Sequence, residues 1–414
     1  MRRIGLISAL LALPLMTVAQ ERPIVLKATT ILDGKGKVLR NTTIVVEGSK
    51  ISSIGGNAPA DGMVFDLGAL TVTPGWIDTH AHIIWHFDKG RLAGRGEPPE
   101  QAILYAAENG TATINAGFTT IQSPGSPEDK YLRDAFTRQI LPGPRILTSL
   151  QPITDDKLTP DQIRQIVRER KEQGADFIKI FASKSIREGG AQTMSDEQLE
   201  AACGEAKAQG LRTIVHAHSA ASAKAATLAG CTSIEHGAYV TDDVFDLMAQ
   251  HGTYYDPNIG LVLQNYLENK AKFLGIGNYN EEGFAFMQKG LQITLDTFKK
   301  ALKHKDLKIV YGTDAVAGAH GRNYEEFIVR VRDGGQKPMD ALISATSLSA
   351  QSLNLADQIG AIAVGMQADI VGFDGNPLQD VTAARRAVFV MKGGHVFENL
   401  PHTAKRAETA ESSR

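Results

Sequence analysis

The stretch of sequence that decides the fold is TPGWIDTHAH, at residues 73–82. Its apolar run predicts a β-strand that ends on His80 and His82. Side chains two residues apart on a strand point the same way, so these imidazoles can share a metal ion. A fold that brings many strand ends to one place, a closed barrel, would unite them with similar residues elsewhere. Such residues end four later apolar runs: Lys179 in DFIKIF, His216 and His218 in TIVHAH, His236 in SIEHG, and Asp314 in IVYGTD.

The middle of the chain alternates strand-like and helix-like segments. Two of the helical segments begin with a capping-box pattern, at Thr159 and at Ser195, with Gln three residues later. Eight βα alternations favour an α/β fold of the (β/α)8 TIM-barrel type, although an open doubly wound sheet has the same local pattern. The 414 residues accommodate a barrel of roughly 250 residues and a smaller second domain. The eight predicted strands are residues 74–79, 118–122, 145–148, 176–181, 212–216, 233–236, 253–256 and 309–314.

Both ends of the chain are rich in strand patterns. The β-branched run at 43–46 and the apolar run that starts at 50 flank a short segment with Gly48, which predicts a hairpin. Neither end is long enough to bury a core alone, so we expect the two ends to form one small β-sandwich. The predicted division is 1–20 signal peptide, 21–72 sandwich, 73–358 barrel, 359–402 sandwich and 403–414 polar tail.

The first twenty residues have the layout of a cleavable signal peptide. Arg2 and Arg3 precede the apolar stretch 4–16, and small residues at 17–19 offer a cleavage site. A membrane anchor is the alternative, but the stretch is shorter than the ~20 residues that a bilayer needs. We therefore expect an exported protein, periplasmic or secreted.

Composition narrows the classes of partner. Hydrophobic residues make up 43% of the chain and the net charge is −2, which gives no reason to expect nucleic acid or a membrane surface. The two cysteines, Cys203 and Cys231, are interpreted as buried small apolar residues, although an oxidising compartment would permit a bridge.

Two long segments interrupt the alternation of strands and helices. Residues 86–100 follow the first predicted barrel strand, and residues 257–281 follow the seventh. Loops after barrel strands surround the active site, so both are candidate lids or specificity loops. A surface insertion is the alternative for each.

The strand-end motifs resemble those of the amidohydrolase superfamily, in the order in which that superfamily carries them. The tail at residues 342–381 resembles the helix and returning strands that close these enzymes. Within the superfamily the chain is most similar to the imidazolonepropionase-like and prolidase-like hydrolases, a group with Xaa-Pro dipeptidases, carboxypeptidases and ochratoxin-hydrolysing enzymes. The resemblance covers nearly all of the chain after residue 20.

The resemblance implies a site with two divalent metal ions, with Zn expected, although Mn, Fe and Co accept the same ligands. Lys179 would be carboxylated by CO2 and bridge the ions, because an unmodified ammonium would repel two cations. A lysine paired with a carboxylate is the alternative. The remaining ligands are His80, His82 and Asp314 for one ion, and His216 and His236 for the other, which leaves His218 near the substrate.

The implied chemistry is hydrolysis of an amide by a metal-activated water. Asp314 would take the proton of the water and pass it to the leaving nitrogen. Tyr239 is a candidate for stabilising the oxyanion, with packing in the core as its alternative role. A leaving amino acid also needs a group for its free carboxylate, and the candidates are His218, His320 and Arg322.

The sequence therefore predicts an enzyme that cleaves the amide bond to a C-terminal amino acid in dipeptides or N-acyl amino acids, ochratoxin-type amides included. Its partner would be this small substrate, and a homo-oligomer stays open. The runner-up is a mononuclear cyclic-amide hydrolase or deaminase of the imidazolonepropionase kind, for which Lys179 would be superfluous. A non-catalytic scaffold could dispense with ligands, yet all six ligand positions are filled.

Overall fold

The computed structural model describes residues 22–88, 91–92 and 97–400. The predicted signal peptide and the predicted polar tail lie outside the described residues. Within those ranges, no helix combines the length and the apolar character needed to cross a membrane.

The described residues form strands at both chain ends and through the middle, as the apolar runs predict. They are β1 (Ile24–Leu32), β2 (Val38–Glu47), β3 (Lys50–Ile54), β4 (Met63–Asp66), β5 (Thr71–Pro74), β6 (Trp76–Asp78), β7 (Phe87–Asp88), β8 (Arg91–Leu92), β9 (Phe118–Ser123), β10 (Arg145–Thr148), β11 (Phe177–Phe181), β12 (Arg212–Ser219), β13 (Ser233–Tyr239), β14 (Tyr254–Asp256), β15 (Lys308–Ile309), β16 (Ile370–Phe373), β17 (Ala387–Lys392) and β18 (His395–Asn399).

Helices connect the strands of the middle region. Both predicted capping boxes form, at Thr159 and Ser195. The helices are α1 (Pro99–Asn115), α2 (Asp129–Thr137), α3 (Pro160–Glu172), α4 (Asp196–Ala208), α5 (Ala220–Leu228), α6 (Asp242–His251), α7 (Val262–Glu268), α8 (Lys270–Phe273), α9 (Glu281–Ala301), α10 (Tyr324–Arg332), α11 (Pro338–Ile343) and α12 (Ser349–Ser352), with short helical turns at Ile186–Glu188, Ser344–Leu348 and Val381–Arg385.

The two chain ends meet in one eight-stranded sheet. Its order is β18-β17-β16-β5-β1-β2-β3, and β4 pairs with β1. The N-terminal and C-terminal parts join where β5 runs antiparallel to β16, with Thr71 opposite Phe373. Leu26, Val72 and Phe389 belong to the buried apolar cluster of this sheet, which holds the small domain together.

The middle strands form two parallel sheets, β10-β9-β6 and β11-β12-β13-β14-β15. Backbone hydrogen bonds join the two sheets on both sides. On one side Asp176 N donates to Thr148 O at 2.8 Å, and on the other Asp314 N donates to His80 O at 2.7 Å. The eight strands therefore close on themselves, and their carboxyl ends face one mouth.

The interpretation of Cys203 and Cys231 as separate buried thiols is wrong, because a disulfide joins them. Each cysteine is only 2% exposed, as expected for small apolar residues. However, α4 places Cys203 beside the start of β13, so the two Cα atoms lie 5.1 Å apart, within the usual range for a bridge. The sequence pattern could not show this approach of helix and strand.

Candidate metal centre

Six strand-end residues come together at the mouth of the barrel, where they line a cavity that opens to solvent. They follow or lie on five different strands, so only the closed barrel brings them together. The six are His80, His82, Lys179, His216, His236 and Asp314.

Asp314 lies between the two histidines of the first strand motif. Its Oδ1 is 3.4 Å from Nε2 of His80 and 3.1 Å from Nε2 of His82. Burial alone would raise the pKa of Asp314, but the two imidazoles outweigh it and hold the pKa below its usual value. The side chain is therefore a carboxylate, the form that binds a metal ion.

Three histidines form a second group. The ligand atoms of His216, His218 and His236 all lie within 4.8 Å of one another. His236 also belongs to a triplet with His80 and Asp314 that meets the same distance, so it links both groups. Burial lowers the pKa of His216 and of His236 well below 6.5, which keeps both imidazoles neutral and able to bind a metal ion.

Lys179 lines the same cavity as these histidines. It is 1% exposed, and its Nζ is 3.4 Å from Nε2 of His80. Burial lowers the pKa of Lys179, although Glu235, Asp314 and Asp256 act in the opposite direction. An ammonium group among these ligand-type imidazoles would add positive charge at a place where a metal ion requires negative or neutral ligands.

A buried carboxylate orients His80 from behind. Glu235 Oε2 lies 2.7 Å from Nδ1 of His80, and Ser233 Oγ donates to the other Glu235 oxygen at 2.7 Å. This contact leaves Nε2 of His80 facing the cavity, the arrangement that supports a metal-binding imidazole. Glu235 belongs to the SIEHG motif, and the motif alone did not reveal this role. The available signal was an acidic residue directly before a ligand-type histidine.

A second buried carboxylate, that of Asp256, lies next to Glu235. Asp256 accepts a hydrogen bond from Thr79 Oγ1 at 2.6 Å and lies 3.6 Å from the guanidinium of Arg330. Arg330 also pairs with Glu326 at 2.7 Å. Asp256 and Glu235 are adjacent buried acids, and burial raises the pKa of each.

The donor set fits a metal centre. The imidazoles of His80, His216 and His236 are neutral and Asp314 is ionised, and together they supply nitrogen and oxygen donors of the kind that divalent ions such as Zn²⁺ prefer. Moreover, Nδ1 of His218 is buried without a hydrogen-bond partner among the described residues. An unpartnered polar atom at this position needs an external ligand or water.

The other predicted site residues divide into those inside and those outside the cavity. His218 lines it, and burial and the positive charge of Arg187 lower its pKa to about 3. Tyr239 is absent from the lining, although its ring and the side chain of His218 both lie next to Gly190. Burial raises the pKa of Tyr239, so its hydroxyl stays protonated and able to donate.

His320 and Arg322 are not among the cavity-lining residues. Nε2 of His320 lies 3.2 Å from the carbonyl oxygen of Trp85, and burial lowers the pKa of His320 to about 4. Arg322 is held at 2.9 Å by Glu268 and at 2.8 Å by Glu325. The structure therefore brings His218 to the ligand cluster but not the other two candidates for carboxylate binding.

Loop residues that the sequence did not single out complete the cavity. Arg187 comes from the turn after β11, and Tyr266 and Tyr279 come from the segment that follows β14. That second segment is the predicted loop 257–281, which contains α7 and α8 and lines the mouth. Its position next to the cavity was predictable from strand order, but the residues that face inward were not.

The sequence and the fold of this chain are similar to those of known proteins. The model of the amidohydrolase family matches residues 71–397. Ochratoxinase from Aspergillus niger is 29% identical over 251 residues, which are 58% of this chain and 49% of ochratoxinase, so the chain spans about half the length of this curated relative.

Solved structures match over most of the chain. A Xaa-Pro dipeptidase with methionine bound in its active site is 31% identical, with a TM-score of 0.82 over 91% of this chain and 100% of the other. A prolidase in complex with N-methylphosphonate-L-proline is 25% identical, with a TM-score of 0.81 over 91% and 100%. The predicted fold class, a (β/α)8 barrel with a small β domain from both chain ends, is confirmed. The chain belongs to the amidohydrolase family, as its strand-end motifs predicted.

Proposed function

We propose that this protein is a metal-dependent hydrolase with two divalent ions that cleaves the amide bond to the C-terminal amino acid of dipeptides or N-acyl amino acids, ochratoxin-type amides included. The observation that carries the proposal is the position of buried Lys179 among the ligand-type residues, with Nζ 3.4 Å from His80 Nε2. A centre with one ion has no use for a lysine there.

The residues that would hold the ions fall into two sets that share Lys179. His80, His82 and Asp314 form one set, and His216 and His236 form the other. When bound, the ions supply Lewis acidity and lower the pKa of water towards neutrality. As a carbamate, Lys179 would supply anionic oxygen ligands, whereas an ammonium would repel both ions.

The chain's own groups would handle the protons. Asp314 is ionised and faces the cavity, so it can accept a proton from water and pass it to the leaving nitrogen. His218 is a neutral imidazole on the same wall, suited to contact the substrate. The protonated hydroxyl of Tyr239 is proposed to reach the carbonyl oxygen once substrate is bound.

The relatives support an amino acid as leaving group. One is named a Xaa-Pro dipeptidase and binds methionine, and another is a prolidase with a phosphonate derivative of proline. The third is named ochratoxinase. Each name is compatible with a C–N bond next to an amino acid.

A substrate screen tests the proposal directly. Purified protein, loaded with Zn²⁺ or treated with a chelator, is incubated with dipeptides, N-acyl amino acids and cyclic amides, and released amine is measured. We expect cleavage of dipeptides or N-acyl amino acids that chelation abolishes. Cleavage of cyclic amides alone would replace the proposal with the imidazolonepropionase-type reaction, and no metal-dependent turnover at all would favour a scaffold.

Metal analysis tests the count of ions separately. We expect about two ions per wild-type chain by elemental analysis, and fewer in a Lys179→Met variant, which cannot form a carbamate. Exposed Lys184 provides the matched control, because Lys184→Met should keep both ions. One ion per wild-type chain, with unmodified Lys179 by mass spectrometry under conditions that preserve carbamates, contradicts a binuclear centre.

We also propose that the protein is exported to the periplasm or the medium. The signal-peptide pattern of residues 1–20 supports this, and the disulfide between Cys203 and Cys231 suits an oxidising compartment. N-terminal sequencing of the protein from fractionated cells checks the location: a mature chain that begins near residue 20 outside the cytoplasm supports export, and an intact chain in the cytoplasm contradicts it.

A further inference from the structure

Among the residues that the structure describes, Arg187 is the only charged side chain that lines the cavity besides the six proposed metal-binding residues. It lies in the short turn Ile186–Glu188 after β11, the strand that carries Lys179. This turn packs against α9, so the arginine is held at the mouth rather than free on a loop.

The guanidinium of Arg187 is held in place by a hydrogen bond and a ring contact, but no carboxylate among the described residues forms an ion pair with it. Its Nε donates to Asn278 Oδ1 at 2.8 Å, and its Cζ lies 4.1 Å from the centre of the Tyr279 ring. The adjacent acid, Glu188, accepts a hydrogen bond from Asn278 instead, at 2.7 Å. None of the ion pairs among the described residues includes Arg187, in contrast to Arg322.

An arginine that lies against an aromatic ring keeps the edge of its guanidinium available. That edge presents paired N–H donors, whose spacing matches the two oxygens of a carboxylate. A contact of this kind is stronger at the rim of a partly enclosed apolar cavity than in open water. Arg187 is therefore the best-placed cation for an anionic group of the substrate.

The rest of the wall is apolar or neutral. Ile186, Val262 and Leu263 are buried and line the cavity, together with the ring of Phe181. Outside the proposed metal ligands, no aspartate or glutamate lines the cavity within the described residues. A basic side chain in the substrate would lose its hydration there without gaining a carboxylate partner.

We infer that Arg187 binds the free α-carboxylate of the leaving amino acid, and that the cavity selects a leaving amino acid with an apolar rather than a basic side chain. The inference rests on the proposed function for its leaving group. It replaces Arg322 by Arg187 as the carboxylate-binding arginine.

The first test compares substrates on the wild-type, metal-loaded enzyme. We expect kcat/KM for glycyl-leucine to exceed that for glycyl-leucinamide by about 10- to 100-fold, as for loss of one charged hydrogen-bonded contact. Glycyl-leucine and glycyl-phenylalanine should likewise exceed glycyl-lysine and glycyl-arginine by at least 10-fold. Equal rates for acid and amide, or a preference for the basic residues, would overturn the inference while leaving the proposed function intact.

The second test uses variants. Arg187→Met should lower kcat/KM for glycyl-leucine by about 10- to 100-fold, mainly through KM, and leave the slow rate on glycyl-leucinamide within about 3-fold. Arg187→Lys should restore part of the difference. Arg164→Met, an exposed arginine on α3, is the control and should change neither substrate. An equal fall on both substrates would mean that Arg187 only supports the fold.

Binding measurements separate the two proposals. Calorimetry with L-leucine, L-leucinamide and L-lysine on metal-loaded protein needs no turnover. If no dipeptide is cleaved but L-leucine binds at least 10-fold more tightly than the other two in a manner that depends on Arg187, the proposed function fails and the carboxylate subsite stands. If L-leucinamide binds as tightly as L-leucine, the subsite fails.

Discussion

Asp314 has a left-handed backbone conformation, with φ 52°, and its N–H donates to the carbonyl of His80 at 2.7 Å. Asparagine tolerates this conformation better than most residues, so Asp314→Asn should fold while losing the negative charge and the proton-accepting oxygen. We expect kcat/KM on the best substrate of the screen to fall by about 10² to 10⁴.

The control for this variant is Asp296→Asn on the exposed side of α9, which should keep full activity. Circular dichroism and metal content of both variants separate a catalytic loss from unfolding or loss of an ion. If Asp314→Asn hydrolyses every amide tested as fast as the parent, Asp314 is not the catalytic base.

At the scale of residues, the sequence predicted which ligand-type side chains come together, but it did not predict which loop residues line the rest of the cavity. His80, His82 and Asp314 stand at the ends of apolar runs, and strand order alone brings such positions together. In contrast, Arg187 and Arg322 both follow barrel strands, and the sequence does not show which one is free. Arg322 forms ion pairs with two acids, Glu268 and Glu325. In contrast, Glu188, the acid beside Arg187, accepts a hydrogen bond from Asn278, which comes from a distant segment.

At the scale of elements, α10 is fastened to the barrel by a buried arginine. Arg330 is fully buried, pairs with Glu326 and lies near Asp256. Arg330→Met leaves both acids without their cation, so we expect a loss of about 3–5 kcal/mol in the free energy of unfolding, measured by urea denaturation. Arg332→Met on the same helix should lose at most about 1 kcal/mol, because that arginine is 59% exposed. Equal losses for the two variants would contradict a special role for Arg330.

The disulfide fastens α4 to the start of β13. Reduction opens a covalent loop of 28 residues, which is worth roughly 3–4 kcal/mol in the chain-entropy account. We expect a lower melting temperature in reductant for the wild-type protein, and no effect of reductant on a Cys203→Ala, Cys231→Ala double variant. Two thiols that react with a maleimide in unreduced, denatured protein would show that the bridge is absent.

The bounds of the barrel strands show how much of each strand the local sequence pattern predicts. The start of β12 agrees with the prediction, but the strand continues to Ser219 rather than stopping at residue 216. The last barrel strand was expected over 309–314, whereas regular pairing ends at Ile309. Beyond it the backbone turns at Asp314 to bond with His80, a long-range contact that an apolar run cannot reveal.

At the scale of the whole molecule, the proposed ligands come from five strands, so bound ions should stabilise the entire barrel. Ions that bind only the folded state at 100 times their Kd add about 2.7 kcal/mol per site. We therefore expect chelation to lower the melting temperature and Zn²⁺ to restore it. Mg²⁺ is the control, since it prefers oxygen ligands and should restore less. Identical melting curves for chelated and Zn²⁺-treated protein would argue against a metal centre.

The fold class was accessible from sequence because eight strands and their helices repeat one pattern. The joining of the chain ends was inferred only from their shared strand texture. Which strands pair within that sheet depends on contacts across about 300 residues of sequence, such as β5 with β16, and local patterns carry no information on such pairs.

The pairing of β5 with β16 also sets an order of events during synthesis. A nascent chain that has not yet reached residue 370 holds the N-terminal strands with the edge of β5 unpaired, and an unpaired strand edge invites association with other chains. The small domain can close only after the residues of β16, β17 and β18, which end at 399, have left the ribosome. Once β16–β18 are complete, β16 pairs with the edge of β5. The growing polypeptide then no longer exposes this edge as a site for aggregation.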